Sequence, residues 1–356
     1  MITVGRRAPA GRPWLLALRA LGLGDLLTAV PALRALHRHF PEHERVLVAP
    51  AFLAPLVALL DGAVDRMVDV DFRTQVAALP ATLPAVDVAV NLHGRGPQSH
   101  RALRALRPHR LLAFADEAGD GAPAARGEGG GAALGATAAG VAAHPPAGAA
   151  PRWDDDEHER MRWCRMLGAF GVRADPDDLR LRAPDAPPDG GFAGATIVHP
   201  GAAAAARRWP PQRWAAVARH ELGQGRRVVV TGSGAEAELA ATVAAAAGVD
   251  PRWVVAGRTD LVELAALVAA AGRVVCGDTG VAHLASALGT PSVVLFGPTS
   301  PARWGPPAAP WHVALWAGRG GDPHGATPDP GLLAIGVADV VTALDGLPVR
   351  AEHAVR

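Results

Sequence analysis

The sequence contains no lysine and no tyrosine, and only two of its 356 residues are cysteine. Each absence narrows the reading. All 35 basic residues are arginine, so any phosphate in a site must be met by guanidinium groups, which bind oxyanions as planar forks. Cys164 and Cys276 stand far apart in apolar segments. That spacing suits neither a disulfide framework nor a metal site, and both read as buried thiols in a reducing compartment. Strong charge is missing too. A net charge of +1 gives no field to attract nucleic acid or an anionic membrane. Long apolar runs are absent as well. Twin arginines (Arg6 and Arg7) precede "WLLAL", but Arg19 cuts that run, and no segment reaches the ~18 uncharged apolar residues of a membrane span. The expectation is a cytoplasmic protein, at most peripheral to the inner face of the cell membrane.

What is present is an alternation of strand-like and helix-like segments, the pattern of an α/β fold with largely parallel sheets. In the first half, strands are expected at 14–19, 45–50 and 109–114 and in "VDRMVDV" and "VDVAVNLHG", with a helix over 26–40. Residues 116–151 are almost all Gly, Ala and Pro, a low-complexity loop. A helix over 156–172 follows, with Met161, Cys164, Leu167 and Phe170 at helical spacing. The second half repeats the alternation, with "RWVVAG" as a strand, Asp260 as an N-cap and "LLAIGVADVVTALDGL" as a closing helix. Two Rossmann-like domains are expected: 1–172 and 193–356, joined by a Pro- and Asp-rich linker over 173–192.

In such sheets ligands sit beyond the carboxyl ends of strands, and five polar clusters fall there: Gly22–Asp25, Asn91–Arg95, His199–Arg208, Thr231–Glu236 and Gly277–His283. "LGLGDLL" is not a dinucleotide fingerprint, because Leu27 occupies the third glycine position. Asp25 reads either as a general base at the cleft floor or as the N-cap of the helix. Arg207 and Arg208 suit a diphosphate, or are two solvated arginines in an Arg-rich chain. In "CGDTGVAHLASALG" the Thr279 and Gly280 amides open a helix, a ready anion site, with His283 one turn along the same face. Alternatively Asp278 or Thr279 only caps that helix. The acidic run 153–159 is explained by the start of a helix without invoking a metal, and the histidines show no ligand spacing. There is neither a Gly-x-Ser-x-Gly elbow nor a P-loop lysine.

Taken in order, these stretches resemble glycosyltransferase family 9, the heptosyltransferases that use ADP-heptose in lipopolysaccharide core assembly. The resemblance rests on "GLGDLLTAVPALRALHRHFP", "VNLHGRG", "IVHPGAAAAARRWPPQRWAAVA", "VVVTGSGAEAEL" and "CGDTGVAHLASALGTPSVVLFGPTSPARWGP". It implies a GT-B fold: two Rossmann-like domains whose parallel sheets face a central cleft, acceptor bound by the first and nucleotide sugar by the second. It implies inverting transfer with no cofactor and no obligatory metal, from a nucleoside diphosphate sugar (ADP-linked) to a glycan or glycolipid. By the resemblance, Asp25 is the base and Arg207 stands where the family has a lysine against the diphosphate. Thr279, Gly280 and His283 hold phosphate, Asp278 lies near the donor sugar, and Glu236 lies beside the ribose. His199 and Gly201 of "HPG" complete the donor side, and Asn91, His93 and Arg95 the acceptor side. The chain departs from the family in a run of five alanines, Ala202–Ala206, where polar residues are usual. An epimerase of similar fold and a catalytically silent nucleotide-sugar-binding module are the alternatives, the alanine run favouring the second.

Overall fold

The computed structural model describes residues 2–4, 11–70, 79, 83–116, 150–184 and 191–348. Most of the low-complexity 116–151 segment and part of the expected linker lie outside the described residues. The first half runs β1 (Ile2–Thr3), β2 (Trp14–Leu18), α1 (Leu23–His39), β3 (Glu44–Ala49), α2 (Ala54–Val57), β4 (Arg66–Asp69), β5 (Val86–Asn91), α3 (Gln98–Ala105), β6 (Arg110–Leu112) and α4 (Glu159–Ala169). The second half runs β7 (Thr196–His199), α5 (Pro211–Gly223), β8 (Val228–Val230), α6 (Ala237–Ala247), α7 (Leu261–Ala270), β9 (Arg273–Gly277) and α8 (Gly280–Leu288). It closes with β10 (Ser292–Phe296), α9 (Pro301–Trp304), β11 (His312–Trp316), α10 (Pro330–Ala334) and α11 (Val337–Asp345).

Strands such as β2 (WLLAL) and β10 (SVVLF) are buried along their whole length, because helices cover both faces of a parallel sheet and leave no side for polar residues. The first sheet has the order β1-β4-β3-β2-β5-β6, parallel except for β1, and the second the order β11-β10-β9-β7-β8, parallel throughout. Strand order reverses beside β2 in the first sheet and beside β7 in the second. The crevices at those reversals, at the carboxyl ends of the strands, are where doubly wound sheets bind ligands.

One buried cluster runs through both halves. Leu26 and Val30 of α1 pack with Val281, Leu284 and Leu288 of α8, above Leu15 of the first sheet and Val274 of the second. Trp214, Val243 and Val340 fill the far face of the second sheet, and Leu16, Val48 and Leu103 that of the first. Helices α6 and α8 end on Gly248 and Gly289 at φ 78° and 64°, left-handed positions that glycine adopts without a Cβ penalty. Among the described residues no helix is long and apolar enough to cross a membrane.

Several elements differ from the sequence reading. Helix α1 begins at Leu23 rather than 26, since Gly22 is the N-cap and Asp25 sits in the first turn. "RWVVAG" is no strand. It forms a 3-10 turn at Pro251–Trp253 with a single bridge from Val254 to Val230. The expected closing helix is two, α10 and α11, because the Gly336 N–H is taken by the Asp339 carboxylate at 2.8 Å and a new helix starts there. Helix α4 starts at Glu159 with His158 as its N-cap, so of the acidic run only Glu159 lies in the first turn and the rest precedes the helix.

Candidate active site

Two helices point their N-termini into one pocket of about 450 Å³, lined from both halves of the chain. On the first side β2 leads through Arg19–Leu21 to the N-cap Gly22. Asp25 turns back, its Oδ2 accepting from the Gly22 N–H at 3.2 Å and its Oδ1 from Arg19 at 3.3 Å. The side chain is 29% exposed and lines the pocket. Asp25 is therefore not the N-cap but the third residue of the helix, and its carboxylate both satisfies that terminus and reaches the cavity.

On the second side β9 ends at Gly277 and α8 starts at Gly280, with Thr279 as an N-cap that makes no side-chain capping bond. The Thr279 hydroxyl is buried with no hydrogen-bond partner. Beside it Asp278 is 7% exposed. Burial pushes its carboxyl up to about 6; Arg207 opposes that shift and Asp25 adds to it. Arg207 donates to the Asp278 carbonyl at 3.2 Å, while its Nε–H is buried without a partner. These orphaned donors are the features that a bound anion would satisfy, since buried polar groups are otherwise almost always paired.

His283 sits one turn into α8. Burial holds its imidazole down to about 4, so it stays neutral at ordinary pH. Its ring meets Trp304 edge-on at 5.8 Å. A Cβ on Gly24 would lie 2.7 Å from the His283 ring, and one on Gly280 2.9 Å from Leu23. The two helix N-termini thus approach through glycines, the residues that let backbones come this close.

The third wall is His199, Ala202, Ala203 and Glu236. His199 is kept neutral by burial, against the pull of Glu236, and its Nδ1 meets the Thr231 hydroxyl at 3.0 Å. Glu236 accepts from the Ser233 N–H and hydroxyl, both at 2.8 Å. Burial works to raise its carboxyl, but those bonds, His199 and Arg208 outweigh it and the group stays below the usual range. Gly201 does not line the pocket. A Cβ there would overlap the Glu236 carboxylate, so Gly201 makes room for it.

The structure separates the paired arginines. Arg207 faces the pocket, whereas Arg208 turns to the Ala202 carbonyl at 2.8 Å. The alanine run also has a packing reason. Ala206 is buried, exchanges backbone bonds with Gly325 and Asp329, and has the Gly325 backbone against it. Ala206 thereby seats the 320–329 loop, which brings Pro323 and His324 to the pocket rim.

Asn91, His93 and Arg95 are absent from the pocket wall. Asn91 is fully buried and organises its own turn, donating to Gly94 O and Ser99 Oγ at 3.0 Å and accepting from the His93 N–H. His93 is driven down to about 4 by burial, with Arg19 adding to it, and Arg95 reaches Asp155 at 3.3 Å. Sequence reasoning named no role for Thr299, Arg303, Trp304 or His324, all of which line the pocket. The Arg303 Nε–H is buried and unpartnered. "GPTSPARWGP" was the signal for the first three; a lone histidine in a loop gave none for the fourth.

The one cluster of metal-type side chains among the described residues is His220, Glu221 and Asp345. None of the three lines the pocket, and Glu221 is already bound by Arg226 and Thr196.

Two Rossmann-type parallel sheets with a pocket between their carboxyl ends define the GT-B architecture. The whole chain has close structural counterparts in that class. A family 9 glycosyltransferase from Veillonella parvula DSM 2008 superposes at a TM-score of 0.71, with 17% identity over 96% of this chain and 98% of that one. Escherichia coli ADP-heptose LPS heptosyltransferase II gives 0.67, with 19% identity over 93% and 97%. E. coli heptosyltransferase WaaC with ADP gives 0.63, with 16% over 93% and 98%. In sequence, a 99-residue stretch is 37% identical to lipopolysaccharide heptosyltransferase 2 of E. coli strain K12, spanning 27% of this chain and 28% of that protein. Residues 178–325 match the profile of glycosyltransferase family 9 (heptosyltransferase). The sequence similarity to glycosyltransferase family 9 lies in that segment.

Proposed function

We propose that the protein is an inverting glycosyltransferase that needs no metal. It moves a sugar, heptose or a related one, from an ADP-linked donor to a hydroxyl of a glycan or glycolipid. The observation that carries this reading is one pocket in which a carboxylate on one helix N-terminus faces a second helix N-terminus with no side-chain cap, flanked by two arginines whose buried Nε–H groups have no partner. The donor class is supported by what the relatives are: a lipopolysaccharide heptosyltransferase in sequence, and in fold a heptosyltransferase with ADP and with ADP-2-deoxy-2-fluoro heptose.

In this mechanism the acceptor hydroxyl loses its proton to Asp25 as its oxygen attacks the anomeric carbon. The nucleoside diphosphate leaves from the opposite face, so a single displacement inverts the centre. Charge grows on the leaving diphosphate. The Thr279 and Gly280 amides, the Thr279 hydroxyl and the Arg207 and Arg303 guanidiniums are preorganised to take it, and such fixed donors carry much of a transfer enzyme's rate enhancement. His283, held neutral, adds an N–H. Glu236 takes the ribose, with His199 and Gly201 behind it. The half containing 193–356 holds the donor and the half containing 1–172 the acceptor, with Asn91, His93 and Arg95 shaping the acceptor side. Glycolipid acceptors fit a protein at most peripheral to the inner face of the cell membrane.

Thermal unfolding in the presence of ADP-, GDP-, UDP- and dTDP-sugars tests the reading, because a ligand that binds only the folded state raises its stability. ADP-sugars are expected to stabilise most. No response to any nucleotide or nucleotide sugar overturns the proposal, and conversion of donor without acceptor redirects it to an epimerase.

A further inference from the structure

We propose that Arg19, anchored by Glu159, is the positioning residue for Asp25; this rests on the reading of Asp25 as the base. Arg19 is 1% exposed at the end of β2, and one guanidinium grips Asp25 twice. Its Nε–H donates to the Asp25 carbonyl at 2.9 Å and its Nη2 to Asp25 Oδ1 at 3.3 Å. With Gly22 N–H on Oδ2, both carboxylate oxygens and the main chain of the same residue are fixed. That is more than is needed to cap a helix.

The same Nη2 has two hydrogens and three acceptors: Glu159 Oε1 at 2.9 Å, Thr28 Oγ1 at 3.2 Å and Asp25 Oδ1 at 3.3 Å. Glu159 takes the shortest of the three. It is itself held by Trp163 Nε1–H at 3.0 Å and by Arg162, whose Nη2 donates to the Asp154 and Glu157 carbonyls. Burial works to raise the Glu159 carboxyl, but Arg19 and Arg162 outweigh it and keep it ionised. Arg19 also lies 4.9 Å from the Trp163 ring centre, and its Nη1 donates to the Leu92 carbonyl at 2.5 Å.

The arrangement solves a chemical conflict. A base needs a cation nearby to hold its orientation, yet a cation bound closely to it would quench its basicity. Sharing Arg19 with a second carboxylate orients Asp25 while leaving most of the positive charge to Glu159. Helix α4, at the far end of the first half of the chain, thereby sets the geometry of a carboxylate at its beginning. A purely structural ion pair between β2 and α4 would need no bond to Asp25.

Arg19→Lys tests this, because it keeps a cation for Glu159 and removes the planar fork. Turnover in sugar transfer should fall about 10- to 100-fold, the range expected when a reacting group is displaced by about an ångström. ADP affinity, read by calorimetry, should stay within about twofold if only the base is affected. In an Asp25→Asn background, Arg19→Lys should cost nothing further, the signature of two residues acting through one function. A crystal structure of Arg19→Lys should show Asp25 Oδ2 rotated off the Gly22 N–H. Equal losses in both backgrounds overturn the proposal, as does an unmoved carboxylate, which reads out independently of activity. If Arg19→Lys fails to fold, Glu159→Gln tests the sharing from the other side: with Arg19 left wholly to Asp25, turnover should fall and the acid limb of the pH–rate profile should move to lower pH, and an unmoved profile overturns the proposal. Near-normal turnover in Asp25→Asn alone would instead sink the reading of Asp25 as base and is distinguishable from both.

Discussion

Helices α1 and α8 each follow a strand that flanks a reversal of strand order, β2 in the first sheet and β9, beside β7, in the second. Their N-termini carry the same partial positive charge, yet the two ends are finished differently. Helix α1 folds its own Asp25 back onto the Gly22 N–H. Helix α8 has no side-chain cap, and its N-cap hydroxyl has no hydrogen-bond partner. A helix end that supplies its own anion offers a carboxylate for proton transfer. One left open offers donors to a ligand's anion. In the proposed mechanism the difference between a base and a phosphate site is one of capping, not of fold.

The largest expected effect comes from removing the anion that α1 supplies. Asp25→Asn should lower turnover by about 10²- to 10⁴-fold, the usual contribution of a positioned general base, with ADP affinity unchanged by calorimetry. The complementary change on the open end is Arg207→Gln, which should weaken ADP binding about 10- to 100-fold, as loss of a hydrogen bond to a charged group does. Weakened ADP binding in the first variant, or unweakened binding in the second, would break the contrast.

Smaller effects sharpen it. Gly24→Ala drives a methyl against the His283 ring and should cost about 1–3 kcal/mol of stability by urea denaturation, as overpacking does. The pH dependence concerns Asp278, whose carboxyl rises from 3.8 to about 6 chiefly through burial. Between those values the folded protein holds the proton longer than the unfolded chain, so this group's contribution to stability falls as pH rises through the window. Asp278→Asn should therefore raise the unfolding temperature above about pH 6 and change little below pH 3.8. An equal shift on both sides would show that Asp278 is not buried as described.

The site was legible in sequence where it is local. Asp278, Thr279, Gly280 and His283 lie within six positions on one strand–helix turn, so spacing alone carries their juxtaposition. Asp25 was legible by the same logic, although its place in the helix was not, because a capping residue and a first-turn acid differ by a turn geometry that the sequence does not specify. Arg303, His324 and Arg19 were not read as site residues. Arg303 and His324 line the pocket beside residues from segments as distant as Gly22–Asp25, and Arg19 is tied to Glu159, 140 residues away. Asn91 was the converse: a polar residue at the right strand end, but turned inward to hold its own loop. Strand β11 was not read from sequence because it is a half-exposed edge, where burial no longer imposes a continuous apolar run.

The sequence by itself determined the alternation of strands and helices, the glycines at the helix N-termini and the kinds of group available there, since those follow from periodicity and from turn chemistry within a few residues. Only the tertiary structure decided which of two neighbouring arginines enters the pocket, which helix end is closed by its own carboxylate, and that α4 reaches back to fix that carboxylate. The physical reason is that these depend on desolvation and on partners brought together by chain reversal, neither of which any local stretch of residues encodes.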